Sequence, residues 1–174
     1  MFLVGIPYAE YADGAAPITE TLPVLAVLLA VPLCRQFNLI RSAQTVVIPT
    51  IVLGCLIALI SALTLPLLTG ASATVLASLA VKSSTTSVAV EIADQMGGHA
   101  SIAAVVVICT GVFGATCGPT LLKAAGVVDD RAVGLALGVA AHAIGTARAF
   151  QISEQAGAFA SVGMILTALL TIVL

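Results

Sequence analysis

Residues 138–148 read GVAAHAIGTAR. Inside an apolar run, they place a histidine, a threonine, an arginine and two glycines. An ionisable group at bilayer depth costs roughly 2.5–3.5 kcal/mol on insertion scales and persists where it faces a protein interior or a wet cavity. Glycines beside such a group let a helix break and free main-chain groups to bind a ligand. The stretch is therefore read as a site built on an interrupted helix.

A related stretch lies sixty residues upstream. Thr86–Gly98 (TSVAVEIADQMGG) aligns with Thr146–Ala158 (TARAFQISEQAGA), so that Thr86 meets Thr146, Ile92 meets Ile152 and Asp94 meets Glu154. Gln95 and Gly97 meet Gln155 and Gly157, and upstream Lys82 falls on His142. A shared Gln, acidic pair and Gly in one register point to an internal repeat.

The chain is 60% hydrophobic and 8% charged, with mean hydropathy +1.21. A soluble domain carries about 25% charged residues, so this composition means an all-α, polytopic membrane protein in contact with the lipid bilayer. A net charge of −2 with no basic patch gives no sign of nucleic-acid binding. The four cysteines (Cys34, Cys55, Cys109, Cys117) have neither paired nor metal-ligand spacing. No metal, cofactor or catalytic motif is implied, and the expectation is that the chain is not an enzyme. Glu10 and Asp13 interrupt an N-terminus that is no signal peptide.

In chain order, Met1–Pro17 is a polar-flecked entry with Tyr8 and Tyr11 at the interface, and Leu22–Cys34 is a short or partial span. Arg35–Arg41 is expected as a polar loop, Thr45–Leu68 as a crossing and Ala100–Leu122 as the cleanest crossing. Lys123–Arg131 is the second charged loop, and Gly157–Leu174 the last crossing. Ala73–Gln95 and Ala132–Gln155 are each a broken helix or a re-entrant hairpin, with polar tips at KSSTTS (82–87) and at GVAAHAIGTAR. GxxxG pairs at Gly114–Gly118 and Gly134–Gly138 allow close helix approach. Arg35, Arg41, Lys123 and Arg131 share a cytoplasmic side only if an even number of crossings separates their loops. Ala73–Gln95 should then not cross. One domain over 1–174 results, with hairpin-plus-helix repeats at about 73–122 and 132–174, the second inverted. Inverted repeats whose interrupted helices meet at the midplane are a transporter arrangement.

The expected substrate-binding residues are Lys82, Ser83, Ser84, Thr85, Thr86, His142, Gly145, Thr146 and Arg148. Hydroxyls and freed amides at the tips would donate to an anion whose charge Lys82 balances; the bland alternative is a loop with a snorkelling lysine. Gly145 would let the backbone turn so that His142 and Arg148 converge. His142, titrating near neutrality, suits proton coupling. Arg148 would hold a carboxylate, or else pair with Glu154 or Glu91. Glu91, Asp94 and Glu154 would be coupling-ion groups or helix-end charges, and His99 a turn residue.

From Lys82 to Ala168 the chain resembles the LrgB/CidB family of bacterial membrane proteins, related to the plastid glycolate/glycerate translocator. The motifs are KSSTTSVAVEI, GLALGVAAHAIGTARAF and EQAGAFASVGMILTALL, with GIPYAEY and AVPLCRQ resembling the earlier half. Ser87 stands where the family has proline and Cys34 where it has tyrosine. The family usually has about two more membrane segments ahead of GIPYAEY, so the chain is expected to be N-terminally short. The resemblance implies a bacterial inner-membrane protein and two functions. One is proton-coupled transport of small monocarboxylates such as pyruvate, glycolate or glycerate. The other is antiholin-like regulation of murein hydrolase export and cell lysis with an LrgA/CidA-type partner. A homo-oligomer is compatible with either. The residue chemistry favours the carrier.

Overall fold

The structure, a computed structural model, describes Gly14 and residues 30–173. The expectations for Met1–Pro17 and for most of Leu22–Cys34 lie outside the described residues. Among the described residues all regular structure is helical: α1 (Ala30–Arg35), α2 (Phe37–Ser42), α3 (Gln44–Leu68), α4 (Ala73–Ala80), α5 (Thr86–Gln95), α6 (Ala100–Ala124), α7 (Asp130–Ile152) and α8 (Glu154–Val173). The expected polar loop at Arg35–Arg41 is thus two short helices, joined at Gln36.

Helices α3, α6, α7 and α8 are long and apolar enough to cross a membrane by length and composition. The chain is an integral membrane protein. Much of α3 presents exposed apolar side chains, among them Val46, Leu53, Ile57, Ile60 and Leu65. Such a surface suits acyl chains and not water.

Helix α7 does not run straight. His142 has φ 46° and ψ −130°, and the chain folds back there. In a continuous helix, residues eight apart lie about 12 Å apart along the axis. Yet a Cβ on Gly145 would overlap the Leu137 carbonyl, eight residues earlier. The arms of α7, about 18 Å and 15 Å long, are each too short for a hydrocarbon core of about 30 Å. The segment is a helical hairpin.

The glycine contacts fix the directions of its neighbours. Gly134 lies on the main chain of Ala156 and Gly138 on that of Ala160, so the first arm of α7 runs parallel to α8. Gly111, Gly114 and Gly118 face Ile144, Ala141 and Leu137 in turn, so α6 runs against the first arm. Both GxxxG pairs therefore act as backbone approach points. Helix α6 runs opposite to α8.

The earlier segment has similar contacts. After Val81–Ser84 the chain reverses into α5, and Gly98 returns onto the main chain of Ser78. The His99 amide donates to Ser78 Oγ at 2.7 Å, and that hydroxyl donates to the Thr74 carbonyl at 2.8 Å.

Three clusters knit these parts together. Val47, Ile51 and Cys55 of α3 pack on Leu135, Val139, Phe159 and Val162. Val81, Ala89 and Ala93 pack on Ala103 and Val107 of α6. Val133, Leu137 and Ala149 pack on Ala156 and Ala160 of α8. The Cys55 thiol also donates to Thr167 Oγ1 at 3.5 Å. Arg35 pairs with Glu154 at 3.6 Å, bringing the α1 end, the α7–α8 junction and the Lys123–Arg131 loop to one face. These charged segments lie at one end of the bundle.

Candidate functional site

The turn at Val81–Ser84 lies beside the reversal at His142. The main chain of Lys82 lies against the His142 imidazole. Sixty residues apart in sequence, these are the pair that the repeat register superimposed.

The local chemistry explains each tip. At the first, residues 81–84 form turns, Ser84 N–H bonding to the Val81 carbonyl at 3.0 Å. Thr85 then takes extended geometry (φ −73°, ψ 152°) as the N-cap of α5, without a side-chain cap. The first amides of an α-helix have no intrahelical acceptor, so α5 points unused donors and its positive dipole end at the tip. At the second, Thr146 Oγ1 donates to the His142 carbonyl at 2.7 Å, bracing the start of the second arm.

Three buried polar atoms at the tips lack a protein partner: Ser83 Oγ, Ser84 Oγ and His142 Nε2. Ser84 and His142 are only 1% and 3% exposed. A buried polar group left unsatisfied costs about 1–3 kcal/mol. The described residues supply no partner for any of the three.

Lys82 is half-buried and reaches a cleft of about 1000 Å³ between α3, α6 and α7. The cleft extends from Ala43, Asp129 and Arg131 at the basic-loop face inward to Lys82, past mostly apolar walls such as Val47, Phe113 and Leu135. Asp129 caps α7: its Oδ1 accepts from the Arg131 amide at 2.8 Å, and its carboxylate accepts from the Arg131 guanidinium at 3.0 and 2.7 Å. These bonds hold Asp129 well below the usual carboxylate range.

The other expected site residues divide. Thr85 and Thr86 are half-exposed at the head of α5. Gly145 is not the turn; it is the close-approach residue that lets the second arm lie on the first, and the turn is at His142. The expectation that Arg148 converges with His142 is corrected. The reversal begins at His142, so Arg148, six residues on, lies well down the outgoing arm. Arg148 is exposed, and its Nη1 donates to Gln151 Oε1 at 2.8 Å. It pairs with neither Glu154, taken by Arg35, nor Glu91, which accepts from Gln95 at 2.8 Å. Asp94 is exposed near the end of α5, and His99 is the exposed N-cap of α6. Among the described residues no cluster of His, Cys, Asp and Glu could hold a metal. Sequence reading missed Ser78 and the Asp129 cap: isolated small polar residues carry no signal of the contacts a chain reversal will bring them.

These features define a class: a polytopic membrane protein with an interrupted helix and unpartnered buried polar atoms near its reversal. The model of the LrgB-like family matches residues 1–174, and the chain belongs to that family. It is 32% identical over 174 residues to the "Holin-like protein CidB" of Staphylococcus epidermidis, covering 100% of this chain and 76% of the relative. It is 31% identical over 174 residues to the protein of that name in Staphylococcus aureus, again covering 100% and 76%. An "Uncharacterized protein" of Haemophilus influenzae is 32% identical over 169 residues, 97% of this chain and 73% of its own length. No solved structure matches the chain.

Proposed function

We propose that this chain has a holin-like role in cell lysis, and that its molecular act is to bind a small carboxylate where the two tips meet and carry it across the membrane. The first half rests on the relatives named holin-like, which support it directly. The second half rests on one observation, the three unpartnered buried polar atoms on the facing tips. The bacterial inner membrane is the proposed location, and an LrgA/CidA-type protein the proposed partner.

In this reading the Ser83 and Ser84 hydroxyls and the first amides of α5 donate to the carboxylate, and Lys82 balances its charge. Nε2 of His142, which has no protein partner, is an acceptor when it carries no proton and becomes a donor when protonated. Anion and proton then bind together, which makes the transport proton-coupled. The two tips on opposing hairpins form the halves of an inverted pair that can rock around a fixed site.

The test is uptake of labelled pyruvate and glycolate into proteoliposomes under an imposed pH gradient. Wild type is expected to accumulate them, and Ser84→Ala and Lys82→Gln, still folded, are expected to lose uptake. Uptake unchanged in both variants refutes the site. No uptake by wild type, alongside a lysis phenotype that needs the LrgA/CidA-type protein, leaves the holin-like role without the carrier.

A further inference from the structure

The Arg148 groove has no part in the tips. It is an open groove of about 500 Å³ between α6 and the outgoing arm of α7, lined by Ala115, Thr116, Ile144, Ala147, Arg148 and Gln151. Arg148 sits four residues inside Ile152, the end of the arm, and so about 6 Å below the basic-loop face. Its bond to Gln151 turns the guanidinium toward that face. The ion pairs among the described residues, Arg35–Glu154 and Arg131–Asp129, leave Arg148 without a carboxylate. The Thr116 hydroxyl donates to Val112 at 2.8 Å and is no competitor for the ligand.

We infer that this groove binds the phosphate of an acidic lipid headgroup. A guanidinium with one edge engaged by an amide still offers N–H donors to a phosphate in a forked geometry that an ammonium cannot match. The apolar members Ala115, Ile144 and Ala147 continue inward as a strip for the upper part of an acyl chain. The depth is that of a headgroup phosphate reached by a long side chain, on the face where anionic lipids attract basic groups. The lipid would bridge α6 and the outgoing arm, and so hold the second hairpin in place. This inference is independent of the carrier reading.

The experiment reconstitutes wild type, Arg148→Gln, Arg148→Lys and Lys123→Gln in nanodiscs of phosphatidylcholine with or without phosphatidylglycerol. Retained lipid is read by native mass spectrometry and stability by thermal unfolding. Wild type is expected to retain phosphatidylglycerol and unfold at higher temperature with it. Arg148→Gln should bind it at least about tenfold more weakly, as the loss of charge-assisted bonds implies. Arg148→Lys should recover only a small part, and Lys123→Gln should behave as wild type. Equal retention and stabilisation in Arg148→Gln, or equal loss in Lys123→Gln, overturns the site in favour of diffuse charge attraction. Stabilisation by inorganic phosphate in neutral detergent, with no preference for phosphatidylglycerol, overturns the lipid as the source.

Discussion

The fold-back at His142 makes a prediction of unusual sign. In a helix interior, glycine is less stable than alanine by roughly 0.8–1.0 kcal/mol. At φ 46° and ψ −130°, a residue with a Cβ is strained by about 1–3 kcal/mol, whereas glycine is not. Glycine's extra freedom in the unfolded chain returns roughly 0.4–1 kcal/mol of that advantage. Both His142→Gly and His142→Ala lose the same imidazole contacts, so the comparison between them isolates the backbone. His142→Gly should therefore be more stable than His142→Ala by about 1.3 kcal/mol at the middle of these ranges, a Tm higher by about 3–5 °C on the scale for a chain of this size. Helix content followed by circular dichroism during heating in detergent is the assay. Ala140→Gly and Ala143→Gly, in the flanking arms, should show the ordinary sign. If His142→Ala equals or exceeds His142→Gly in stability, α7 does not reverse at His142 and the hairpin is refuted.

Other outcomes follow from the same contacts. Gly138→Ala would drive a Cβ into the Ala160 carbonyl and Gly134→Ala into that of Ala156, so each should destabilise by about 1–3 kcal/mol or more in chemical unfolding; Gly70→Ala, with open space but φ +73°, should cost less. Ser84→Ala removes an unpaired buried hydroxyl and should leave Tm unchanged or raised while uptake falls, a split that a structural role for the serine would not produce. For Asp129, whose carboxyl is held low in the folded state, the stabilisation is present above the unfolded carboxylate pKa of about 3.9 and is lost as pH falls through the folded value. The Tm difference between wild type and Asp129→Ala should accordingly stay constant from about pH 7 to pH 5 and shrink at more acid pH.

The break in Ala132–Gln155 was legible because a histidine and glycines inside an apolar run mark an interrupted helix. The charge pattern added the expectation that Ala73–Gln95 does not cross. Lys82 and His142 were read only as aligned in the sixty-residue register; that the two segments lie side by side is set by packing that the sequence does not state. Arg148 was misread because the reversal was assigned to Gly145, the residue with the freer backbone, when the structure puts it at a strained histidine. A turn at Gly145 would have left His142 and Arg148 on facing arms. The Arg35–Arg41 helices were read as loop from their charge, which marks exposure and does not oppose helix. The Asp129 cap and the Ser78 contact depended on single polar residues whose partners are fixed only by three-dimensional packing.

The central claim, that an anion completes the polar atoms at the meeting of the tips, is tested most directly by protection. Ser83→Cys, in a background with the four native cysteines replaced, would be alkylated by a small thiol reagent in the presence of pyruvate, glycolate or chloride. The account predicts that the carboxylates slow alkylation in a saturable way, more strongly at acid pH, that chloride does not, and that Lys82→Gln abolishes the protection. Alkylation at the same rate with and without carboxylate, in protein shown to be folded, would contradict it.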